Sequence, residues 1–117
     1  EDCLYLDVYA PPEPVSRQPV MVWIHGGCMV FGSKNEFWAR NFVKEHNVVV
    51  VSINYRLGLL GFFTDTDPKT PKNFGIRDQI AALQWVQDNI EAFGGDPDSV
   101  TIFGESAGGL SVAVLYQ

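Results

Sequence analysis

Thr101-Ile102-Phe103-Gly104-Glu105-Ser106-Ala107-Gly108-Gly109 decides how the whole chain is read. Val100–Phe103 is a short apolar run with β-branched and aromatic members, hence a strand; Gly104–Gly108 is a tight turn, and the apolar residues beyond it begin a helix. Gly104-x-Ser106-x-Gly108 is the nucleophile-elbow pattern. Such a turn is cramped, because a side chain two residues before or after the serine would collide with the neighbouring strand or helix. The serine itself sits in strained backbone geometry, its oxygen exposed at the carboxyl end of the strand. The helix that follows aims its first amides and positive dipole end at the point where an oxyanion would form. Taken alone, G-x-S-x-G also fits an ordinary turn. Its place between an apolar strand and an apolar helix favours the elbow.

Working outward, Asp96-Pro97-Asp98-Ser99 reads as a turn ahead of that strand. Ile76, Ile80, Leu83, Val86, Ile90 and Phe93 recur at steps of three and four, one face of an amphipathic helix of about four to five turns. Asn73 is placed to cap this helix and Gly94-Gly95 to stop it. Val48–Ile53 is the plainest strand, and Val20–His25 is almost continuously apolar, as an interior strand covered on both faces must be. Leu4–Ala10 is a further strand ended by Pro11-Pro12, and a short helix falls within Glu36–His46. Glu13–Pro19 reads as a loop and Asn54–Thr70 as a long irregular segment. Strands alternating with helices, the strands apolar throughout, predict an α/β protein with a largely parallel central sheet and flanking helices.

Composition bounds the function. The chain has 117 residues, one domain or a piece of one, and 46% hydrophobic residues, enough for a packed core. A net charge of −6 from scattered residues argues against a nucleic-acid partner and disfavours an anionic membrane surface. No apolar run approaches the roughly 18 to 20 residues needed to span a bilayer. Glu1-Asp2-Cys3 does not resemble a signal peptide.

An acyl-transfer site needs a nucleophile, a base, a residue orienting that base, and donors for the oxyanion. His25-Gly26-Gly27-Cys28 leaves the end of an interior strand, so its loop lies on the same sheet edge as the elbow. Glycine-rich backbone there lets main-chain amides converge, and the donors are assigned to Gly27, Cys28 and Ala107. A plain turn needing glycines for positive φ is the alternative. The only histidines, His25 and His46, both precede the serine, whereas this arrangement runs serine, acid, histidine. His25, at the root of the loop, reads as a hydrogen-bonded structural residue and His46 as a surface one, which leaves half an active site.

These residues resemble the type-B carboxylesterase family, the esterases, lipases and cholinesterases of α/β-hydrolase fold. The matching stretches are Glu1–Leu6, His25-Gly26-Gly27, Asn54–Gly58 with Gly61-Phe62, Asp78-Gln79 through Trp85-Val86 and Asn89-Ile90, Phe93–Pro97, and Phe103–Gly109. They run the length of the chain in the family's order. The resemblance implies a partial α/β-hydrolase fold, truncated at both ends, with residues 1–117 a fragment of one catalytic domain. It implies a serine esterase acting on small-molecule carboxylic esters through an acyl-enzyme on Ser106. The triad acid and histidine would lie outside this chain, and the fragment alone would be inactive. No metal or organic cofactor is implied. Adhesion members that bind partner proteins, and ester-sequestering proteins with slow turnover, are the alternatives; the former usually lack the serine.

Further roles follow from the same resemblance. Cys3 would form a disulfide with a cysteine upstream of this segment, which implies a secreted or endomembrane parent; any membrane anchor is left open. Cys28 and Met29 stand where a glycine and a phenylalanine are usual, so the backbone donor survives while the side chain adds bulk. Arg56 would pair with Asp78, Glu1 with an arginine further upstream, and Glu105 would be a buried glutamate shaping the site beside Ser106. His25 and Gly26 would support the site from behind. His25, where cholinesterases carry tyrosine, favours a general carboxylesterase.

Overall fold

The computed structural model describes residues 2–13 and 17–117. The pairing expected of Glu1 and the middle of the Glu13–Pro19 loop therefore lie outside the described residues. Among the described residues four strands form one sheet: β1 (Leu6–Tyr9), β2 (Gln18–Ile24), β3 (Val49–Ile53) and β4 (Gly95–Gly104). Their spatial order is β1-β3-β2-β4, with β2 parallel to both β3 and β4 and β1 antiparallel at the edge. Helices α1 (Arg40–His46), α2 (Gly58–Phe62), α3 (Phe74–Asn89) and α4 (Ala107–Leu115) complete the elements, with single 3₁₀ turns at Lys34–Glu36 and Ile90–Phe93. This is a partial α/β-hydrolase fold, a central, mostly parallel sheet with flanking helices.

The apolar strands alternate between two faces, and each face has its own cover. Val20, Val22 and Ile24 of β2 and Val49, Val51 and Ile53 of β3 pack with Val86 and Ile90 beneath α3. On the other face Val50 packs with Ala39 and Val43 of the α1 region, beside Met21, Phe37 and Phe42. Full burial of a valine or isoleucine contributes about 1.5–3 kcal/mol, so these central strands dominate the stability of the sheet. Because β3 and β4 flank β2 on opposite sides, α1 falls on one face and α3 on the other, and the loops after β2 and β4 meet at one edge.

Several local expectations are corrected. Asp96–Ser99 belongs to β4, but as a bulge. Gln18 pairs with Gly95 and Val20 with Val100, so the surplus residues of β4 loop outward. The bulge is held by Arg17, whose guanidinium donates to Asp96 at 2.8 Å and Asp98 at 2.7 Å and keeps the Asp96 carboxyl below its usual range. The Asn54–Thr70 segment contains α2. Asn73 precedes α3 but caps it with no side-chain bond, since its own backbone is left-handed at φ 57°. The expected single helix ends at Asn89 and tightens into the 3₁₀ turn, closed by Gly94 at φ 83°. Ile80, expected on the apolar face of α3, is 53% exposed, while Gln79 is fully buried in its place.

Candidate active site

The parallel pairing of β2 with β4 sets Ile24 opposite Gly104, so the two loops leave the sheet side by side. Gly26 makes the contact between them. A Cβ built there would lie 2.8 Å from the Glu105 carbonyl oxygen and 3.2 Å from Ser106 Cβ. Ser106 adopts φ 55° and ψ −120°, a region that non-glycine residues avoid, and is the residue before α4, without a side-chain capping bond. Its side chain is exposed. Within the turn the Gly108 amide donates to the Glu105 carbonyl at 2.8 Å and the Leu110 amide to the Ser106 carbonyl at 3.1 Å.

Three amides of these two loops have no internal acceptor among the described residues. Among the described residues, those of Gly27, Cys28 and Ala107 donate to no protein group. The loop that carries the first two is strained. Gly27, Cys28 and Met29 have φ of 95°, 53° and 61°, and the Val30 amide closes a turn onto the Gly27 carbonyl at 2.9 Å. Gly27 has no room for a side chain, since a Cβ would meet the Phe31 carbonyl oxygen at 2.0 Å. Cys28 is exposed, its thiol free; Cys3 is likewise free and exposed among the described residues.

His25 is buried behind the loop. Its Nδ1 lies 2.8 Å from the Gly26 carbonyl, which requires the proton on that nitrogen, and its ring stacks on Tyr55 at 4.5 Å. The Tyr55 hydroxyl in turn donates to the His25 carbonyl at 2.8 Å, anchoring the end of β2 to the segment after β3. His46 ends α1, at the opposite edge of the sheet from Ser106, with its ring against Phe42. Glu105 is exposed and not buried, although its carbonyl and carboxylate both lie close to Gly26, at 2.8 and 2.9 Å from where a Cβ on Gly26 would stand. Arg56 and Asp78 form a bidentate pair, Nε and a terminal nitrogen both donating at 2.8 Å, and Asp78 also accepts the Arg56 amide at 3.0 Å. This pair ties the segment after β3 to the second turn of α3. A broad cleft lined by Asp7, Tyr9, Arg40 and Trp85 runs along β1, away from the serine.

Sequence reasoning gave no role to Gln79, Ser111 or Tyr55, although Gln79 and Tyr55 lie within the stretches quoted above. The signal for Gln79 was present: it sits on the same three-and-four spacing as Ile76, Leu83 and Val86.

Burial, and secondarily the Glu36 carboxylate, push the Tyr55 phenol up from 10.0 to about 12. The folded chain therefore holds this proton more firmly than the unfolded chain does. The associated stability is complete below about pH 10 and falls away as the pH rises to about 12, by on the order of 2 kcal/mol. Urea midpoints between pH 9 and 12 should show this step, and Tyr55→Phe should flatten it; an equal slope in both forms would refute the assignment.

A serine raised on a strained turn at the head of a helix, beside a glycine loop with unengaged amides, defines an α/β protein of the serine-elbow class. The chain belongs to the carboxylesterase family, whose profile matches residues 1–117. It is 59% identical to liver carboxylesterase 1F of Rattus norvegicus, over 98% of this chain and 21% of that protein. It is 56% identical to carboxylesterase 1C of Mus musculus over the same shares. A solved structure of a thermophilic PNB esterase superposes with a TM-score of 0.93 at 51% identity, covering 97% of this chain and 24% of that one. The chain thus spans about a fifth of the length of the curated relatives it matches.

Proposed function

We propose that the full-length polypeptide carrying this chain hydrolyses small-molecule carboxylic esters, with Ser106 as nucleophile. The observation that carries this reading is the strained Ser106 set against three amides, of Gly27, Cys28 and Ala107, that have no other acceptor among the described residues. In the proposed reaction Ser106 Oγ loses its proton to a base as it attacks the ester carbonyl, and the three amides receive the developing oxyanion. Collapse of the tetrahedral intermediate expels the alcohol, which takes that proton, and leaves an acyl-serine. Water then attacks the acyl group, releases the acid and restores the serine. The electrostatic part belongs to the positive end of α4, whose axis begins at Ser106.

The base and its acid partner are assigned outside residues 1–117. Neither histidine here suits the task, since His25 is committed to Gly26 and Tyr55 and His46 lies at the far edge of the sheet. The 117-residue chain alone is therefore expected to give negligible turnover. The reaction calls for no metal or organic cofactor, and the net charge of −6 gives no basis for a nucleic-acid partner. Cys3, exposed near the start of the chain, is assigned to a disulfide with a cysteine upstream. That pairing carries the proposal that the parent is secreted or resides in the endomembrane lumen.

Intact-mass labelling with a fluorophosphonate tests the reading. One adduct is expected on the folded full-length polypeptide and none on its Ser106→Ala form. Absence of an adduct on both would transfer the protein to the non-catalytic, partner-binding members of the family. Ester turnover by the 117-residue chain, lost in Ser106→Ala, would overturn the assignment of the base elsewhere.

A further inference from the structure

Gln79 and Ser111 are both fully buried where α3 meets α4. Gln79 Nε2 donates to Ser111 Oγ at 3.0 Å, and Ser111 Oγ lies 3.1 Å from the Ala107 carbonyl oxygen. The polarity of this chain is determined. A carbonyl can only accept and a hydroxyl has one proton to give, so Ser111 accepts from Gln79 and donates to Ala107. The peptide that carries the Ala107 carbonyl also carries the Gly108 amide, which donates to the Glu105 carbonyl at 2.8 Å. One run of hydrogen bonds therefore reaches from α3 through the Ala107–Gly108 peptide to the Glu105–Ser106 peptide, the two that bracket the Ser106–Ala107 peptide carrying the Ala107 amide, and such runs reinforce one another.

Two further observations give the run a purpose beyond packing. First, α4 has no side-chain cap at its start, and the bond from Ser111, one turn in, to the Ala107 carbonyl adds a side-chain hold to the backbone bonds of the first turn. A residue as strained as Ser106 persists only where its surroundings over-determine it. Second, Gln79 Oε1 is buried with no partner among the described residues. A leucine would fill similar space without that orphaned acceptor, so folding alone gives no reason for glutamine here.

We propose that Gln79 and Ser111 are positioning residues for the elbow. They fix the first turn of α4 and with it the direction of the Ala107 amide, so they act on the oxyanion and not on substrate binding. The proposal rests on the reading of Ser106 as nucleophile given above.

In the full-length polypeptide, Gln79→Leu and Ser111→Ala should each lower kcat about tenfold while KM stays within about twofold. Affinity for a trifluoromethyl ketone, whose serine adduct bears an oxyanion, should fall in the same ratio as kcat/KM. The unfolding midpoint of Gln79→Leu should stay at or above that of the wild type, since the orphaned acceptor leaves together with the donor. The double variant should lose no more than the worse single one, because both break the same run. Ser111→Ala removes one oxygen and decides the question if Gln79→Leu does not fold. Wild-type kcat in folded Ser111→Ala, or a rise in KM with kcat unchanged, overturns the positioning role. Fluorophosphonate labelling of the wild type separates the two readings. An unlabelled, folded wild type overturns the assignment of Ser106 and this inference with it; a labelled wild type beside unaffected variants overturns this inference only.

Discussion

Replacing Ser106 with glycine should abolish acylation and, in the same molecule, make the fold more stable. The loss follows from chemistry: without Oγ there is no nucleophile, and hydrolysis should fall by about 10⁴- to 10⁶-fold. The gain follows from geometry. At φ 55° and ψ −120°, a residue with a Cβ stores about 1–3 kcal/mol of backbone strain, which glycine does not feel. Against this stands the extra chain entropy that glycine loses on folding, about 0.5–1 kcal/mol. Ser106 is exposed, so little burial is lost, and a net stabilisation of about 1 kcal/mol is expected. Ser106→Ala is the control, equally inactive but no more stable than the wild type because it keeps the Cβ. Urea unfolding of the three forms, with fluorophosphonate labelling of each, reads both effects. Equal midpoints for the glycine and alanine forms would mean that the elbow stores no strain.

Gly108→Ala should be among the most damaging single-methyl additions available, although it lies in a helix, where alanine is normally preferred. A Cβ at Gly108 would sit 2.0 Å from the Ile24 carbonyl oxygen and 2.9 Å from that of His25. Both atoms are backbone at the end of an interior strand, so no side chain can turn aside. Helix α4 would have to lift from β2, taking Ala107 and Ser106 out of register with the Gly26-Gly27 loop. A destabilisation of about 3–5 kcal/mol and loss of labelling are expected. Gly109→Ala, one residue on, has the opposite expectation. Its Cβ would meet only the Gly104 carbonyl oxygen, at an ordinary 3.4 Å, so better helix propensity should stabilise the chain by up to about 1 kcal/mol. Comparable midpoints for the two variants would show that α4 is free to shift and that the close approach does not constrain the elbow.

The contrast between these neighbouring glycines marks where sequence reading ran out. G-x-S-x-G gave both the elbow and the cramped turn, because the requirement for glycine is written in residue type. The nearly all-apolar runs at Val20–Ile24 and Val49–Ile53, interrupted only by Ser52, gave the interior strands for the same reason: side chains buried on both faces can largely dispense with polar residues. Asp96–Ser99 was legible as a turn but not as a bulge, since strand membership there depends on pairing with Gln18 and Val20. The α2 turn within Asn54–Thr70 has too few residues to show a period. Ile80 and Gln79 were exchanged because adjacent helix positions differ by about a quarter turn, and the sequence favours the more apolar of the two.

By itself, then, the sequence determined the α/β class, the central strands, the elbow and the glycine loop, since each follows from local residue type and short-range spacing. Tertiary structure alone decided which groups meet. It set Gly26 against Glu105 and Ser106, exposed Glu105, committed His25 to Tyr55 and Gly26, and joined Gln79 through Ser111 to Ala107, the residue after Ser106. Those contacts link residues up to 80 positions apart, Gly26 to Ser106. They are fixed by strand order and by the packing of helices on opposite faces of the sheet, quantities that no stretch of the chain carries on its own.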